Sequence, residues 1–293
     1  LETVIFPACN HLVIEKNAFC DCISLEEIEL SDSLTEIGES AFSNCKSLVS
    51  IELSASIKKL GKLAFYECTA LENLYIRSLL SYLNAENGIN YATPMYYAKN
   101  MYITGELRGI ITVPWGVTEI PVNAFRECEN LQYVYFENTV TKINSGAFLG
   151  CPNLKSVSIP DSVISIESYA FGQNPALVSV TLGKNLLSIG SYAFSECTSL
   201  TSITIPDSVR DMGDRVFASN SSLKTVKLGK NLESMGTSVF MYCGKLESVN
   251  IPGALKRIPE HTFYRCYALN DLTISEGVEV IEKRAFDNCS RLT

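Results

Sequence analysis

The sequence lacks several features that mark common classes of protein. Among 293 residues it has only two histidines and one tryptophan. No two cysteines have the C-x-x-C spacing that structural zinc sites use. It carries 24 basic against 32 acidic residues with no basic stripe, so the charge pattern of a nucleic-acid-binding protein is missing. No apolar run reaches the length that crosses a membrane. The sequence therefore predicts no metal, no cofactor, no nucleic-acid partner and no membrane insertion.

A phenylalanine that recurs every 23 residues, in two runs, is the clearest positive signal. A leucine stands six residues after each of the eleven phenylalanines, and three residues after them stands cysteine nine times and asparagine twice. A short fixed period indicates stacked repeats rather than one globular core. These anchor phenylalanines are Phe19, Phe42, Phe65, Phe125, Phe148, Phe171, Phe194, Phe217, Phe240, Phe263 and Phe286.

Each repeat contains the same parts in the same order. The segment L-x-x-[IV]-x-[IL] alternates apolar and other residues and predicts a short strand, which a proline or glycine such as Pro206 or Gly183 ends. The Ala-Phe segment predicts a short helical turn with the phenylalanine buried. Stacked repeats of this kind predict an α/β solenoid of about twelve coils, with a parallel sheet along one face.

Nine of the eleven cysteines follow the same period. Stacking places them in a ladder with neighbours about 5 Å apart, a distance that permits disulfides. Their side chains should point the same way into the core, however, and asparagine replaces cysteine twice without breaking the register. We therefore expect free, buried thiols. A pair between Cys9 and Cys20, which are off this ladder, stays open.

The repeat resembles the BspA-like, or treponemal-type, leucine-rich repeat family, over about nine tenths of the chain. The resemblance implies a secreted or surface-anchored binding protein of bacteria and some protozoa that adheres to host or neighbouring-cell surfaces. The residues that carry it are Leu200-x-x-Ile203-x-Ile205-Pro206-x-x-Val209 and Ile189-Gly190-x-x-Ala193-Phe194-x-x-Cys197.

The period predicts one solenoid over residues 1–293, with N-terminal coils at 1–76 and regular C-terminal coils at 110–293. Residues 77–109 break the register and are predicted to be an irregular insertion. In it we expect a short amphipathic turn at Leu79, Leu80 and Leu83 and a small hairpin around Gly105. Because the chain opens and closes inside a repeat, we expect it to be a segment of a longer protein.

Aromatic residues concentrate around this break, in strand positions that are small and polar elsewhere. Large aromatics in such positions predict a binding patch; the alternative is that the tyrosines form the seat on which the insertion packs. Trp115 takes a solvent-facing position that aspartate holds in other coils. The predicted ligand-binding residues are Tyr75, Ile110, Thr112, Trp115, Tyr133 and Tyr135.

No catalytic constellation is predicted. His11 and His261 lie about eleven periods apart in sequence, too far to cooperate in a solenoid, and we read His261 as a surface residue beside a core phenylalanine. An acidic cluster could bind a cation, but a solvated face is the simpler interpretation. That cluster contains Glu26, Glu27, Glu29 and Glu52.

These observations favour a non-enzymatic extracellular or cell-surface recognition module. It would bind a host or neighbouring-cell protein or glycan through its sheet face and the insertion, and act as a monomer. The alternative is a structural stalk that presents another domain. An aromatic patch exposed to solvent would favour binding, and one covered by the insertion would favour the stalk.

Overall fold

The computed structural model describes residues 3–6, 10–87 and 93–293. The chain divides into two compact units. Unit 1 comprises residues 1–109, 113–117 and 123–131, and unit 2 comprises residues 110–112, 118–122 and 132–293. The repeats form about eleven turns of a leucine-rich-repeat β-solenoid with parallel sheets, so the predicted count of about twelve is one too high. Cys9, and with it the possible Cys9–Cys20 pair, lies outside the described residues.

Unit 1 has two rows of short strands, numbered here in chain order through the whole protein. The first row is β1 (Thr3–Ile5), β3 (Glu27–Glu29), β5 (Ser50–Leu53), β7 (Asn73–Ile76), β9 (Asn100–Ile103) and β10 (Glu106–Leu107). The second row is β2 (Leu12–Ile14), β4 (Leu34–Ile37), β6 (Lys59–Leu60) and β8 (Glu86–Asn87). Neighbouring strands are parallel, except that β10 runs antiparallel to β9.

Unit 2 repeats this arrangement with greater regularity. Its first row is β11 (Ile110–Val113), β13 (Tyr133–Phe136), β15 (Ser156–Ser158), β17 (Ser179–Thr181), β19 (Ser202–Thr204), β21 (Thr225–Lys227), β23 (Ser248–Ile251) and β25 (Asp271–Ile274). Its second row is β12 (Glu119–Ile120), β14 (Lys142–Ile143), β16 (Ser165–Ile166), β18 (Ser188–Ile189), β20 (Asp211–Met212), β22 (Ser234–Met235), β24 (Arg257–Ile258) and β26 (Val280–Ile281). Hydrogen bonds join the first row as two four-stranded sheets, β11-β13-β15-β17 and β19-β21-β23-β25.

The strands follow the predicted alternation. In β19, Ser202 and Thr204 are exposed while Ile203 is buried. Because one repeat is 23 residues long, Ser202 faces Thr225 across the parallel ladder. Apolar side chains thus point into the core and small polar ones form the outer face of the sheet.

The anchor phenylalanines form the core of each unit. In unit 2 the Phe171 ring centroid lies 5.1 Å from that of Phe148 and 5.3 Å from that of Phe194, with the planes within 5° of parallel. The phenylalanines of unit 1 stack in the same way, at 5.3 and 5.5 Å. One aromatic ring per turn therefore builds a continuous buried ladder.

The predicted helical turn at Ala-Phe is wrong. The residues two before and two after every anchor have positive φ angles of about 53° to 72°, the left-handed region, which ends a right-handed helix. The backbone N–H of Phe171 donates to Ala193 O of the next turn, at 2.8 Å, and not to a residue of its own turn. Inter-turn hydrogen bonding thus replaces helix formation.

Within the described residues the only α-helix is α1 (Leu79–Asn84), and a 3-10 turn spans Pro94–Tyr96. The prediction of an amphipathic turn is confirmed, since Leu79 and Leu83 are buried in α1 while Leu80 is 40% exposed. The predicted hairpin is also confirmed: β9 and β10 pair across Thr104 and Gly105, both at positive φ. Two further described segments of the insertion, Glu86–Asn87 and Asn100–Ile103, are more regular than expected, because they form β8 and β9 and continue the two rows of unit 1.

Among the residues that the structure describes, the periodic cysteines are free thiols, as predicted. Cys197 Sγ donates a hydrogen bond of 3.2 Å to the carbonyl of Phe171, the anchor of the preceding turn. Asn174 takes the same position and donates from Nδ2 to Phe148 O at 3.0 Å. The same contact, at 3.0 to 3.2 Å, is made by Cys45, Cys68, Cys197, Cys243, Cys266 and Cys289.

Candidate functional site

The predicted binding residues fall into both units, so they form two groups. Tyr75 and Trp115 belong to unit 1, and the remaining four residues belong to unit 2. Nothing in the structure tests whether these residues bind a ligand, and that assignment stays a prediction. What the structure provides is the setting of each group.

In unit 1, Tyr75 projects from β7 and stacks on Tyr102 of β9. The ring centroids are 4.5 Å apart and the planes differ by 20°. The two tyrosines face each other because Tyr75 pairs with Tyr102 in the parallel register, and Glu52 of β5 pairs with Tyr75 on the other side. Both rings are half-buried. The outer face of this sheet therefore carries an aromatic pair beside a carboxylate.

A shallow groove of about 410 Å³ adjoins this pair and is acidic. Partial burial, and then the neighbouring charge of Glu29, raise the pKa of the Glu52 carboxyl. The side chain of Arg77 pairs with Glu52, at 2.8 Å from Nε to Oε1, and with Asp32. The groove is lined by Glu27, Ile28, Glu29, Leu30, Ser50, Glu52 and Tyr75.

Trp115 is the most exposed large hydrophobic residue among those that the structure describes, at 76%. It stands in a turn closed by the hydrogen bond from Val117 N to Pro114 O, at 3.3 Å. Gly116 follows at φ +92°, a conformation that disfavours any residue with a Cβ. The aspartates that hold this position in regular turns, such as Asp161, accept a hydrogen bond from the next turn instead. The predicted solvent exposure of Trp115 is confirmed.

In unit 2, four of the predicted residues lie on the adjacent strands β11 and β13. Ile110 is 55% and Tyr135 is 54% exposed, and Thr112 is also exposed. Tyr133 is half-buried under the ammonium of Lys155, which lies 5.6 Å from its ring centroid. Apolar and aromatic side chains thus replace the serines and threonines of the later strands.

The insertion packs on unit 1 through its own buried residues. Tyr82 of α1 is buried, and its hydroxyl lies 2.8 Å from both Thr93 Oγ1 and Ala124 O. The amide of Asn130 bonds both backbone groups of Met101, at 3.0 and 3.1 Å. Tyr75 contacts this segment through the ring of Tyr102. The insertion is therefore joined to the rest of unit 1 both by the buried hydroxyl of Tyr82 and by the stack of Tyr102 on Tyr75.

The described residues contain no cluster of three or more histidine, cysteine or carboxylate side chains that could hold a metal ion. Of the acidic cluster, Glu52 is engaged by Arg77. His261 lies 3.5 Å from a carboxylate oxygen of Glu260 and 5.4 Å, between ring centroids, from Tyr264 in an edge-to-face contact. No helix in the described parts of the chain is both long and apolar enough for a membrane span.

Sequence reasoning missed two groups of residues. Tyr102 lay hidden in the insertion, although its position two residues before the Thr104-Gly105 turn signal places it on a hairpin strand. The second group surrounds Arg265 on the turn side of unit 2. It includes residues that stand two positions before or two positions after an anchor phenylalanine. The only signal for this group in the sequence is the size of its side chains. Other turns have smaller residues at the same position, such as Gln173 or Ser219.

Comparison with known proteins gives a consistent result. The family that matches is described as "BspA type Leucine rich repeat region (6 copies)", over residues 1–88, 104–220 and 165–293. No curated protein matches the chain.

Solved structures of bacterial leucine-rich repeat proteins are similar to it. One from Bacteroides ovatus is 29% identical with a TM-score of 0.77, over 100% of this chain and 74% of that one. A leucine rich cell surface protein from Faecalibacterium prausnitzii is 25% identical with a TM-score of 0.58, over 100% and 86% of the two chains. A leucine rich repeat protein from T. pallidum is 28% identical with a TM-score of 0.54, over 63% and 78%.

The 23-residue period, the parallel strand rows and the phenylalanine and cysteine ladders agree with this match, which spans most of the sequence. The chain belongs to the BspA type leucine-rich repeat family.

Proposed function

We propose that this protein is a non-enzymatic recognition module that acts at a cell surface or outside the cell. It binds a protein or glycan on another cell through the outer face of its sheets and the adjoining part of the insertion. A solved relative from Faecalibacterium prausnitzii is described as a cell surface protein, which supports this setting. The module works by presenting a rigid surface, and it acts as a monomer without a cofactor.

The observation that carries the proposal is the exposure of aromatic side chains on the sheet face. Tyr135 is 54% exposed at a strand position that serine or threonine occupies in most later turns. Burying an exposed aromatic ring against a partner gains more free energy than burying a serine, and aromatic anchors dominate protein interfaces. Backbone hydrogen bonds to both neighbouring strands hold β7 and β13 in place, so little ordering is needed on binding.

In unit 1 the proposed partner surface has a definite chemistry. Tyr75 and Tyr102 offer stacked rings, and Glu27, Glu29 and Glu52 border the same groove. A partner segment that presents a lysine or arginine would meet both the carboxylates and a ring face. Unit 2 offers Ile110 and Tyr135 instead, a more apolar patch.

The test is binding of the chain to an array of extracellular-matrix proteins and glycans, with two double variants. Tyr75→Ser/Tyr102→Ser removes the unit 1 pair, and Tyr133→Ser/Tyr135→Ser removes the unit 2 pair. We expect at least one variant to lose binding by about tenfold or more, at an unchanged melting temperature.

The matched control is Tyr169→Ser/Tyr192→Ser. These tyrosines also form a stacked pair, at 4.6 Å, but lie two residues before their anchors, away from the sheet face. The control should bind like the wild type. Absence of any hit, or a hit that neither double variant weakens, would contradict the proposal and favour a stalk that presents another domain.

A further inference from the structure

A cluster of aromatic and cationic side chains lies on the turn side of unit 2, away from the residues proposed above. The guanidinium carbon of Arg265 is 5.2 Å from the ring centroid of Tyr264 and 5.5 Å from that of Tyr242. Those two rings meet edge to face at 5.7 Å, and His261 meets Tyr264 at 5.4 Å. We call these residues, with Tyr267, the Arg265 cluster. Its members are accessible: Tyr242 is 41% and Tyr267 is 47% exposed.

The charge of Arg265 is not neutralised within the described residues. No carboxylate among them forms an ion pair with it, and the carboxylates of Glu260 and Asp287 lie beside His261 and Arg284 instead. Glu260 lies 3.5 Å from His261, and Asp287 lies 3.9 Å from Arg284. Arg265 therefore presents a guanidinium that lies over two rings, bonds the Tyr264 hydroxyl and has its remaining donors available for an anion.

The backbone holds this cluster in a fixed position. Tyr242, His261 and Arg265 have φ angles of 63°, 57° and 61°, in the left-handed region. Their N–H groups donate to carbonyl oxygens of the next turn, at 2.9 Å for Tyr242 and for Arg265. Because these hydrogen bonds fix the backbone of the three residues, their side chains project from a rigid edge. Little conformational entropy is then lost when a ligand binds.

The ligand chemistry follows from these features. A planar guanidinium with free donors suits a carboxylate, which it can bind through two parallel hydrogen bonds. The tyrosine rings suit the apolar face of a sugar ring, and their hydroxyls can bond sugar hydroxyls. The net charge of −8 disfavours a polyanion. A glycan that ends in one acidic sugar meets all three conditions in a single residue, whereas an acidic peptide meets them only where a ring-bearing residue stands beside the carboxylate.

We propose that the Arg265 cluster binds a terminal carboxylate-bearing sugar of the sialic-acid class. This site is independent of the sheet-face surface proposed above. Arg265 pairs with the sugar carboxylate, Tyr242 and Tyr267 pack against the ring, and His261 borders the site.

The experiment measures binding of sialyllactose and of lactose to the chain, by saturation-transfer NMR and by titration. We expect sialyllactose to bind and lactose, which lacks the carboxylate, to bind at least about tenfold more weakly. Arg265→Gln should lose sialyllactose binding, and Arg265→Lys should recover only part of it because lysine lacks the planar fork. Arg265 is exposed, so both variants should keep the melting temperature of the wild type.

Two controls keep this site distinct. Arg210→Gln changes an exposed arginine that is paired with Glu233, and it should bind sialyllactose normally. The Tyr75→Ser/Tyr102→Ser variant, which alters the sheet face, should also bind sialyllactose normally. The proposal is overturned if sialyllactose does not bind, if lactose binds equally well, if Arg265→Gln has no effect, or if a peptide ending in a free carboxylate competes equally well.

Discussion

The third residue after each anchor phenylalanine shows how two different side chains can serve one position. Cysteine and asparagine both donate to the carbonyl of the preceding anchor, at 3.2 Å from Cys197 Sγ and 3.0 Å from Asn174 Nδ2. The two side chains differ in the polar atoms that this hydrogen bond leaves without a partner. The buried Oδ1 atoms of Asn174 and Asn220 have no hydrogen-bond partner in the described structure, whereas a thiol leaves no strong acceptor unsatisfied.

Asn174→Cys should therefore stabilise the protein. The donor to Phe148 O is retained and a buried unsatisfied oxygen is removed. The second bond of Nδ2, to Phe171 O, is lost, but Cys197 Sγ also donates to that carbonyl. The free energy of unfolding should therefore rise by about 1 kcal/mol. Asn174→Leu is the matched comparison: it removes the donor as well and should lower the free energy of unfolding by about 1–3 kcal/mol. Urea unfolding measures both. A loss of stability in Asn174→Cys would contradict the shared role.

The buried thiols also predict a pH dependence. Burial raises the pKa of the Cys197 and Cys243 thiols from 9.0 to about 12. Between these values the unfolded chain has released protons that the folded chain retains. The free energy of unfolding should therefore be constant below pH 9 with respect to these groups and fall as the pH rises from 9 to 12.

Urea unfolding at several pH values between 8 and 11 checks this expectation. Cys197→Asn provides the control, since asparagine does not titrate and occupies this position naturally in other turns. It should make the decline with pH shallower. An identical slope in the variant and the wild type would show that the buried thiol does not contribute.

At the scale of elements, the phenylalanine ladder holds neighbouring turns together. Phe171→Ala should lower the free energy of unfolding by about 3–5 kcal/mol, because it opens a cavity between two stacked rings. Tyr169→Ala, two residues earlier and 40% exposed, should cost much less. Thermal or urea unfolding of the two variants makes the comparison. A melting curve that Phe171→Ala leaves unchanged would refute the assignment of these residues as anchors.

The ladder could be predicted from the sequence because the spacing of Phe171 and Cys197 records which residues are buried in every turn. The path of the backbone around Phe171 could not. Its N–H bonds Ala193 of the next turn, and that choice depends on a neighbour 22 residues away rather than on local propensity. An Ala-Phe pair between helix-compatible residues therefore suggests a helix that the stacked turns do not form.

Some residues of the candidate sites could likewise be predicted from the period, and others could not. The exposure of Trp115 and Tyr135 followed from the period alone, because the regular turns show which positions face solvent. Tyr102 was missed because the insertion shifts the register, so that the partner of Tyr75 lies 27 residues away rather than 23. Arg265 was missed because its position varies freely between turns, and only the fold brings the flanking tyrosines to it.

The insertion is a second element whose attachment can be tested. Tyr82→Phe removes a buried hydroxyl that bonds Ala124 O and Thr93, and it should lower the free energy of unfolding by about 1–3 kcal/mol. The segment 77–109 should also be cleaved sooner in limited proteolysis. Tyr75→Phe, whose hydroxyl lies on the sheet face, should change neither. Normal protease resistance in Tyr82→Phe would contradict the role of this residue in joining the insertion to unit 1.

At the scale of the whole molecule, the repeats separate the residues that stabilise the fold from the residues that face solvent. Most ion pairs link exposed side chains one turn apart, as Lys184 and Asp161 do at 2.7 Å, and such pairs contribute little stability. The core needs only the repeated apolar positions. The outward positions are then free to differ from turn to turn, and they carry the aromatic and charged groups on which both proposed sites rest.

The most direct test of the central claim, that aromatic side chains on the sheet face form the binding surface, is hydroxyl-radical footprinting. The chain would be oxidised alone and in complex with its strongest binding partner from the array. We predict that oxidation of Tyr75, Tyr102, Tyr133 or Tyr135 falls on binding while oxidation of Tyr169 stays the same. Protection of Tyr169 with unchanged oxidation of all four sheet-face tyrosines would contradict the account.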